Sequence, residues 1–345
     1  MSAVGATNGS RVLTKADFQS PVETRWCPGC GDYAILAAVQ GFLPELGIPP
    51  ERTVFISGIG CAGRFSYYMN TYGMHGIHGR APALATGLAA ARGDLSVWVV
   101  SGDGDALSIG GNHLIHALRR DVPVKILLLN NRIYGLTKGQ ASPTSELGKV
   151  TKSTPFGSAD APFNPSSLAL GAGATFVART LDTDKQHLPA MLRAAAAHPG
   201  AALIEIYQNC PVFNDGAFDA LSDKQTRDAN VIALEHGEPI RFGAERELGV
   251  VRGTDGSLRV AAVASVGEDA LVIHDAHRDD PSLAFALSRL ADVEGSATPI
   301  GIFRAAPREA PSAGLAAELS AARASFGSAG LERLLNAGDT WSVGG

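Results

Sequence analysis

Asp103 and Asn131 each stand just past an apolar run, Leu95 to Val100 and Val124 to Leu129. About thirty residues separate the two run ends, room for one crossover helix. Both tips should therefore emerge at the same edge of a parallel sheet, where open α/β sheets bind ligands. The residue types suit a chelated diphosphate. Mg²⁺ takes oxygen ligands in near-octahedral geometry, and here Asp103 offers a carboxylate oxygen, Asn131 an amide oxygen and Ile133 a backbone carbonyl. Gly102 and Gly104 let the backbone approach phosphate with no Cβ in the way. The amides opening the next helix, Ser108 to Arg119, would point at the anion. Gly-Asp-Gly alone reads better as a tight strand-to-helix turn. Its pairing with Asn-Asn at the end of a second apolar run favours the metal.

Four cysteines carry a second chemistry: Cys27, Cys30, Cys61 and Cys210. The Cys27-Pro-Gly-Cys30 loop can be half of a zinc site, a thioredoxin-like redox pair or half of an iron–sulfur site. Cys61 follows the apolar run beginning at Val54, and Cys210 follows Ala202 to Tyr207. Either alone reads equally well as a small buried apolar residue. Together, with no cysteine left over and no nearby His pair, four thiols suit a 4Fe-4S cluster or a structural zinc. An intracellular chain rarely spends thiols on disulfides.

Other polar residues are weighed against plainer roles. His78 and Arg80, in a His-Gly-Arg turn, can meet diphosphate or substrate, or simply cap a helix; His75 has less support. Gly135 and Thr137 can contact the diphosphate, and Lys138 can neutralise a substrate carboxylate or be an exposed loop lysine. His113 and His116 share a helix face without a carboxylate partner and read as packing or surface residues.

The elements that must position these groups alternate between strand and helix throughout, which predicts an α/β, doubly wound, mostly parallel sheet with helices on both faces. An amphipathic helix is expected over Tyr33 to Leu46, with Asp32 as its N-cap. In the helix from Ala81, residues Ala81, Ala85, Gly87, Leu88 and Ala91 would allow close packing. Helices are expected over Pro165 to Gly173 and Lys185 to His198, with strands over Thr175 to Ala178 and Ala202 to Tyr207. Residues 141–164 form a loop long enough to be functional or interfacial. Residues 1–16 read as a flexible tail, 17–235 as the main domain, and 236–345 as an extension with short strands, an Asp-Gly hairpin and a helical end, suited to subunit contact.

With 345 residues, 45% of them apolar, the chain can bury a large core. A net charge of −5 without a basic block argues against nucleic acid. No apolar run nears the ~18 residues of a membrane span, and no signal peptide is visible, so a cytoplasmic location is expected.

Gly-Asp-Gly followed by Asn-Asn resembles the thiamine diphosphate motif of thiamine-dependent enzymes. Trp-Cys-Pro-Gly-Cys-Gly, Ser-Gly-Ile-Gly-Cys, His-Gly-Arg-Ala, Gly-Asp-Gly-Asp-Ala, Asn-Asn-Arg-Ile-Tyr-Gly-Leu-Thr-Lys-Gly-Gln and Asn-Cys-Pro occur in order. Together they resemble the β subunits of 2-oxoacid:ferredoxin oxidoreductases over about residues 20–235, most closely the 2-oxoglutarate type. The resemblance implies a thiamine diphosphate-binding fold. It implies that Cys27, Cys30, Cys61 and Cys210 hold a 4Fe-4S cluster, and that Asp103, Asn131 and the Ile133 carbonyl hold Mg²⁺. Gly58, Ile59, Gly60, His78, Gly102, Gly104, Asp105, Ala106, Gly135, Leu136 and Thr137 would line the cofactor site. Arg64, Lys138 and His78 would serve substrate. Iron is then favoured over zinc, because a thiamine enzyme that oxidises by single electrons needs a one-electron centre and zinc has no redox chemistry. Coenzyme A as co-substrate, ferredoxin as acceptor and an α subunit in an α₂β₂ assembly are implied likewise. The glutamate that activates the coenzyme is not identifiable here and belongs to the α subunit in such enzymes. A pyruvate or branched-chain enzyme, a non-oxidative thiamine decarboxylase or synthase, and a zinc-stabilised binding subunit are the alternatives.

Overall fold

The computed structural model describes residues 12–293, 296–308, 311–326, 330–339 and 341. Most of the expected tail, residues 1–11, lies outside them, and Lys15 and Ala16 already belong to a 3-10 turn, Lys15–Phe18.

Among the described residues, eleven strands form two sheets. Strands β1 (Thr53–Ser57), β2 (Tyr72–His75), β3 (Ser96–Gly102), β4 (Val124–Asn130), β5 (Phe176–Leu181), β6 (Ala202–Tyr207), β7 (Val231–Leu234) and β11 (Thr298–Ala305) make the larger one, in the order β2-β1-β3-β4-β6-β5-β11-β7. Neighbours are parallel except β11 against β5. Strands β8 (Arg241–Phe242), β9 (Leu248–Arg252) and β10 (Leu258–Ala262) form a small antiparallel sheet, with the expected hairpin between β9 and β10. The central strands β4 and β6 are buried along their whole length, as continuous apolar runs in a two-sided sheet require.

Helices cover both faces. Helices α1 (Asp32–Phe42) and α6 (His187–Ala197) bury Ile35, Val39, Leu188 and Leu192 on one. On the other lie α2 (Ala81–Ala91), α4 (Gly111–Arg120), α5 (Pro165–Gly171) and α10 (Ser282–Ser288). A one-turn helix, α3 (Asp103–Leu107), starts directly at the end of β3. Short turns α7 (Asp219–Ser222), α8 (Arg227–Asn230) and α9 (Val263–Val266) punctuate the later chain, which ends in α11 (Pro311–Phe326) and α12 (Gly330–Leu335). Among the described residues no helix is long and apolar enough to cross a membrane.

Three local expectations are corrected. The first helix stops at Phe42 and tightens into a 3-10 turn, Leu43–Leu46, where Pro44 has no amide to continue the ladder. Gly31, not Asp32, is its N-cap; Asp32 is its first residue, with a carboxylate that is buried and has no hydrogen-bond partner. On α2 the packed stripe is Ala81, Ala85 and Ala89, spaced one turn apart, while Gly87 and Ala91 face outward.

The extension after residue 235 is woven into the larger sheet. Its strand β11 lies between β5 and β7, and Phe303 joins the core cluster of α2, α4 and α5.

Candidate cofactor and thiol site

The register of β3 on β4 sets Gly102 beside Leu129, so Asp103 and Asn130-Asn131 leave the same edge side by side. A cavity of about 480 Å³ opens there, walled by Asp103, Asn131, Ile133, His78, Cys61 and Gln208. Ile59, Gly60, Gly102, Gly104, Asp105, Gly135, Leu136 and Thr137 line it too. A larger hollow of about 870 Å³ lies beyond Asn130, but Arg179 and Glu205 in its wall are already paired at 2.9 Å.

Asp103 is almost fully buried, and burial raises its pKa against the opposing hydrogen bonds of two hydroxyls. Ser142 Oγ donates to Oδ2 at 2.5 Å and Thr144 Oγ1 at 2.6 Å. Both come from the long loop after Asn131, which folds back to clamp the carboxylate. Asn131 is fixed as well: its Nδ2 donates to Gln208 Oε1 at 2.9 Å, and its Oδ1 accepts the Ile133 amide at 3.1 Å. Tyr134 closes the floor. Its hydroxyl donates to the Gly104 carbonyl at 3.1 Å, and a Cβ on Gly104 would sit 2.1 Å from its ring, so this glycine is needed for a close approach.

Asp105 has a different task. It borders the same cavity as Asp103, but its carboxylate oxygens are already engaged. Its Oδ1 accepts from His78 Nδ1 at 2.5 Å, Gly79 N at 2.7 Å and Ile59 N at 3.1 Å, and its Oδ2 from Ser101 Oγ at 2.5 Å. Four donors use up the acceptor sites of one carboxylate. Asp105 therefore ties three loops together and turns His78 Nε2 free of it. Gly58 serves the same knot, since a Cβ there would lie 1.8 Å from Asp105 Oδ2. Ala106 is in the apolar core and does not line the cavity.

The thiols gather beside this cavity. Trp26 Nε1 donates to the Cys61 carbonyl at 2.8 Å, and Gly31 N donates to the Asn209 carbonyl at 3.1 Å, which docks the Cys27–Cys30 loop on the segment carrying Cys210. A Cβ on Gly135 would lie 3.4 Å from Cys61 Sγ and 3.7 Å from Cys210 Sγ. The thiols are close enough that ionising one opposes ionising the next: after burial and Asp32, Cys61 and Cys210 disfavour a thiolate at Cys30, and Cys210 and Cys27 disfavour one at Cys61. Burial pushes the Cys61 thiol up to about 12 and raises Cys30 further, so without a metal these groups stay protonated. Burial likewise raises Asp32, beside Cys30, to about 7.

Among the described residues no three His, Cys, Asp or Glu side chains are disposed to hold a single metal ion. Asp103 and Asn131 present a carboxylate and an amide oxygen, the donor types that Mg²⁺ takes.

Residues 58–206 match the family model described as the thiamine pyrophosphate enzyme C-terminal TPP binding domain. The chain is 62% identical over 329 residues to the 2-oxoglutarate oxidoreductase subunit KorB of Mycobacterium tuberculosis, covering 95% of this chain and 88% of that one. The chain belongs to the 2-oxoacid:ferredoxin oxidoreductase family, as a β subunit. It is also 46% identical to the β subunit of 2-oxoacid:ferredoxin oxidoreductase 1 of Aeropyrum pernix, over 58% of this chain and 63% of that one. Among solved structures it is similar to a chain of the 2-oxoglutarate:ferredoxin oxidoreductase from Magnetococcus marinus with 2-oxoglutarate, coenzyme A and succinyl-CoA bound. There the TM-score is 0.75 and the identity 31%, covering 98% of this chain and all of that one.

The two basic residues expected at substrate part company in this β subunit. Arg64 does not reach the cavity. Its Nη1 donates to the Arg25 carbonyl at 2.6 Å in a shallow outer groove. Lys138 stands in the loop that lines the cavity, at φ +78°, a strained conformation for a side chain with a Cβ. His113 and His116 lie on the outer side of α4. Sequence reasoning missed Ser142, Thr144 and Gln208 as site residues. Their short polar types are common in loops and at strand ends, and only the fold brings them to Asp103 and Asn131.

Proposed function

We propose that this β subunit works with an α subunit, as α₂β₂ in the cytoplasm, to convert 2-oxoglutarate and coenzyme A into succinyl-CoA and CO₂ while reducing ferredoxin. Bound thiamine diphosphate would supply the electron sink for decarboxylation, and a 4Fe-4S cluster would accept electrons singly. Asp103, Asn131 and the Ile133 carbonyl would hold Mg²⁺ on the diphosphate, with Ser142 and Thr144 keeping Asp103 in place. Cys27, Cys30, Cys61 and Cys210 would hold the cluster. Lys138 is the basic residue assigned to a substrate carboxylate, and His78 Nε2 is assigned to an oxygen of the diphosphate or substrate. Arg64 would have to leave the Arg25 carbonyl to take part.

One observation supports the reading most: Cys61 stands in the same cavity wall as Asp103 and Asn131. A one-electron centre on that thiol would adjoin the coenzyme, an arrangement that a non-oxidative thiamine enzyme has no use for.

The test is anaerobic co-production with the α subunit, followed by iron, zinc, thiamine and ferredoxin-reduction assays on one sample. Succinyl-CoA formation with about four iron atoms per β subunit is the expected result. Preferential acetyl-CoA or branched acyl-CoA formation would move the substrate to pyruvate or branched-chain 2-oxo acids. Colourless, fully active protein would replace the reading with a non-oxidative one, and one zinc without thiamine would replace it with a binding subunit.

A further inference from the structure

Gln208 is the only side chain among the described residues given hydrogen bonds to both a candidate cluster ligand and a candidate Mg²⁺ ligand. It follows β6 and is buried. Its Nε2 donates to Cys30 Sγ at 3.2 Å and also to the Asn209 carbonyl, and its Oε1 accepts from Asn131 Nδ2 at 2.9 Å. The amide cannot be flipped. Reversal would set Oε1 against a sulfur and a carbonyl, and Nε2 against another amide nitrogen. The same bond fixes Asn131. With Nδ2 given to Gln208, only Oδ1 is left to face a cation.

We infer that Gln208 is a positioning residue that couples the Mg²⁺–diphosphate site to the reduction potential of the cluster; this rests on the cofactor assignment made above. The path runs from Asn131 Oδ1 through Nδ2–H to Gln208 Oε1, then through Nε2–H to Cys30 Sγ. Reduction adds negative charge to a cluster and its sulfurs, and an N–H dipole aimed at a ligand sulfur stabilises that charge and raises the potential. A cation on Asn131 Oδ1 polarises that amide and makes Nδ2–H a stronger donor. Linked hydrogen bonds strengthen one another, so the bond to Cys30 strengthens too. Loading the coenzyme thus makes the adjacent cluster a better electron acceptor. Coupling requires no movement, because Gln208 already makes both bonds.

The test uses the anaerobic αβ enzyme, with the cluster followed by EPR-monitored potentiometry before and after addition of Mg²⁺ and thiamine diphosphate. Gln208→Leu keeps the volume and removes all three bonds, the two on the path and the one to the Asn209 carbonyl. Its cluster should titrate at a more negative potential than wild type. The change on adding magnesium and thiamine diphosphate should also be less positive than in wild type, with iron content unchanged. Asn131→Asp cuts the path at its other end while keeping an oxygen ligand, so it covers the case in which Gln208→Leu loses iron. It too should show a less positive change on loading. A Gln208→Leu cluster with the wild-type potential and the wild-type response to loading would overturn the inference, as would an unaltered response in Asn131→Asp. Wild-type enzyme with no cluster signal, or with no thiamine diphosphate binding, would instead defeat the cofactor assignment beneath it.

Discussion

Asp103 divides its carboxylate between structure and ligand. Oδ2 is taken by two hydroxyls, and under the proposed assignment Oδ1 would meet the cation. Thr144→Val keeps the shape of the side chain and removes one of those bonds; Ser142→Ala removes the other. Partners one step behind a metal ligand typically cost 10–100-fold in metal affinity when removed, so each change should weaken Mg²⁺ by about tenfold or more. Magnesium titration of thiamine diphosphate binding checks this, and wild-type affinity in the double variant would rule out the clamp. The juxtaposition of Asp103 and Asn131 was legible because the apolar runs and the crossover length encode it. The clamp was not, because it joins residues 39 and 41 positions from Asp103 through a loop with no periodicity. Asp105 was assigned to the cofactor on its motif; it borders the cavity, and its four hydrogen bonds to the neighbouring segments become visible only in the fold.

At the scale of elements, the docking of the Cys27–Cys30 loop depends on Gly31. A Cβ there would lie 1.8 Å from Asp182 Oδ2 and 2.9 Å from Gln208 Cγ, and both of those side chains are buried. Gly31→Ala should push the loop off the end of β6 and separate Cys30 from Cys210. Loss of iron and visible absorption, in protein that still binds magnesium thiamine diphosphate, is the expected outcome; full iron content would show that the loop adapts. The opposite end of the sheet carries a pH-sensitive group. Lys125 Nζ, on β4, donates to the carbonyls of His198 and Gly200, and burial lowers its pKa to about 8, opposed by Asp121. An unfolded lysine titrates near 10.4. Between about pH 8 and 10.4 the unfolded chain therefore holds more protons, and stability rises with pH across that window. Lys125→Met should remove this rise. Melting temperatures of both proteins at pH 8 and pH 10 measure it, and parallel changes would count against the assignment. The central strands and their parallel sense were readable from apolar runs and crossover lengths; β2, β7 and the order across the sheet were not. The outward turn of Arg64 was not, since it depends on a single bond to the Arg25 carbonyl.

Across the whole molecule, the main sheet is completed by a strand that arrives late in the sequence. Texture changes after Pro211, so composition points to an added region, yet β11 enters the sheet between β5 and β7. Burial explains why it must. Arg179 lies fully buried on β5, paired with Glu205 at 2.9 Å, and its guanidinium sits 5.2 Å from the centre of the Phe303 ring while donating to the Pro299 carbonyl at 3.3 Å. Ending the chain at residue 296 would strip that cover from a buried ion pair, expose the edge of β5, and remove Phe303, whose loss alone costs about 3–5 kcal/mol. The last helices matter less to this core. In α12 the side chains of Leu331, Leu334 and Leu335 are about 70% exposed, so a chain ending at residue 308 keeps every strand of the larger sheet. The 308-residue form should stay soluble with a near-native melting temperature, and the 296-residue form should aggregate when both are made with the α subunit under the same conditions. A soluble 296-residue form melting with the full chain would mean that β11 lies on the sheet without supporting it.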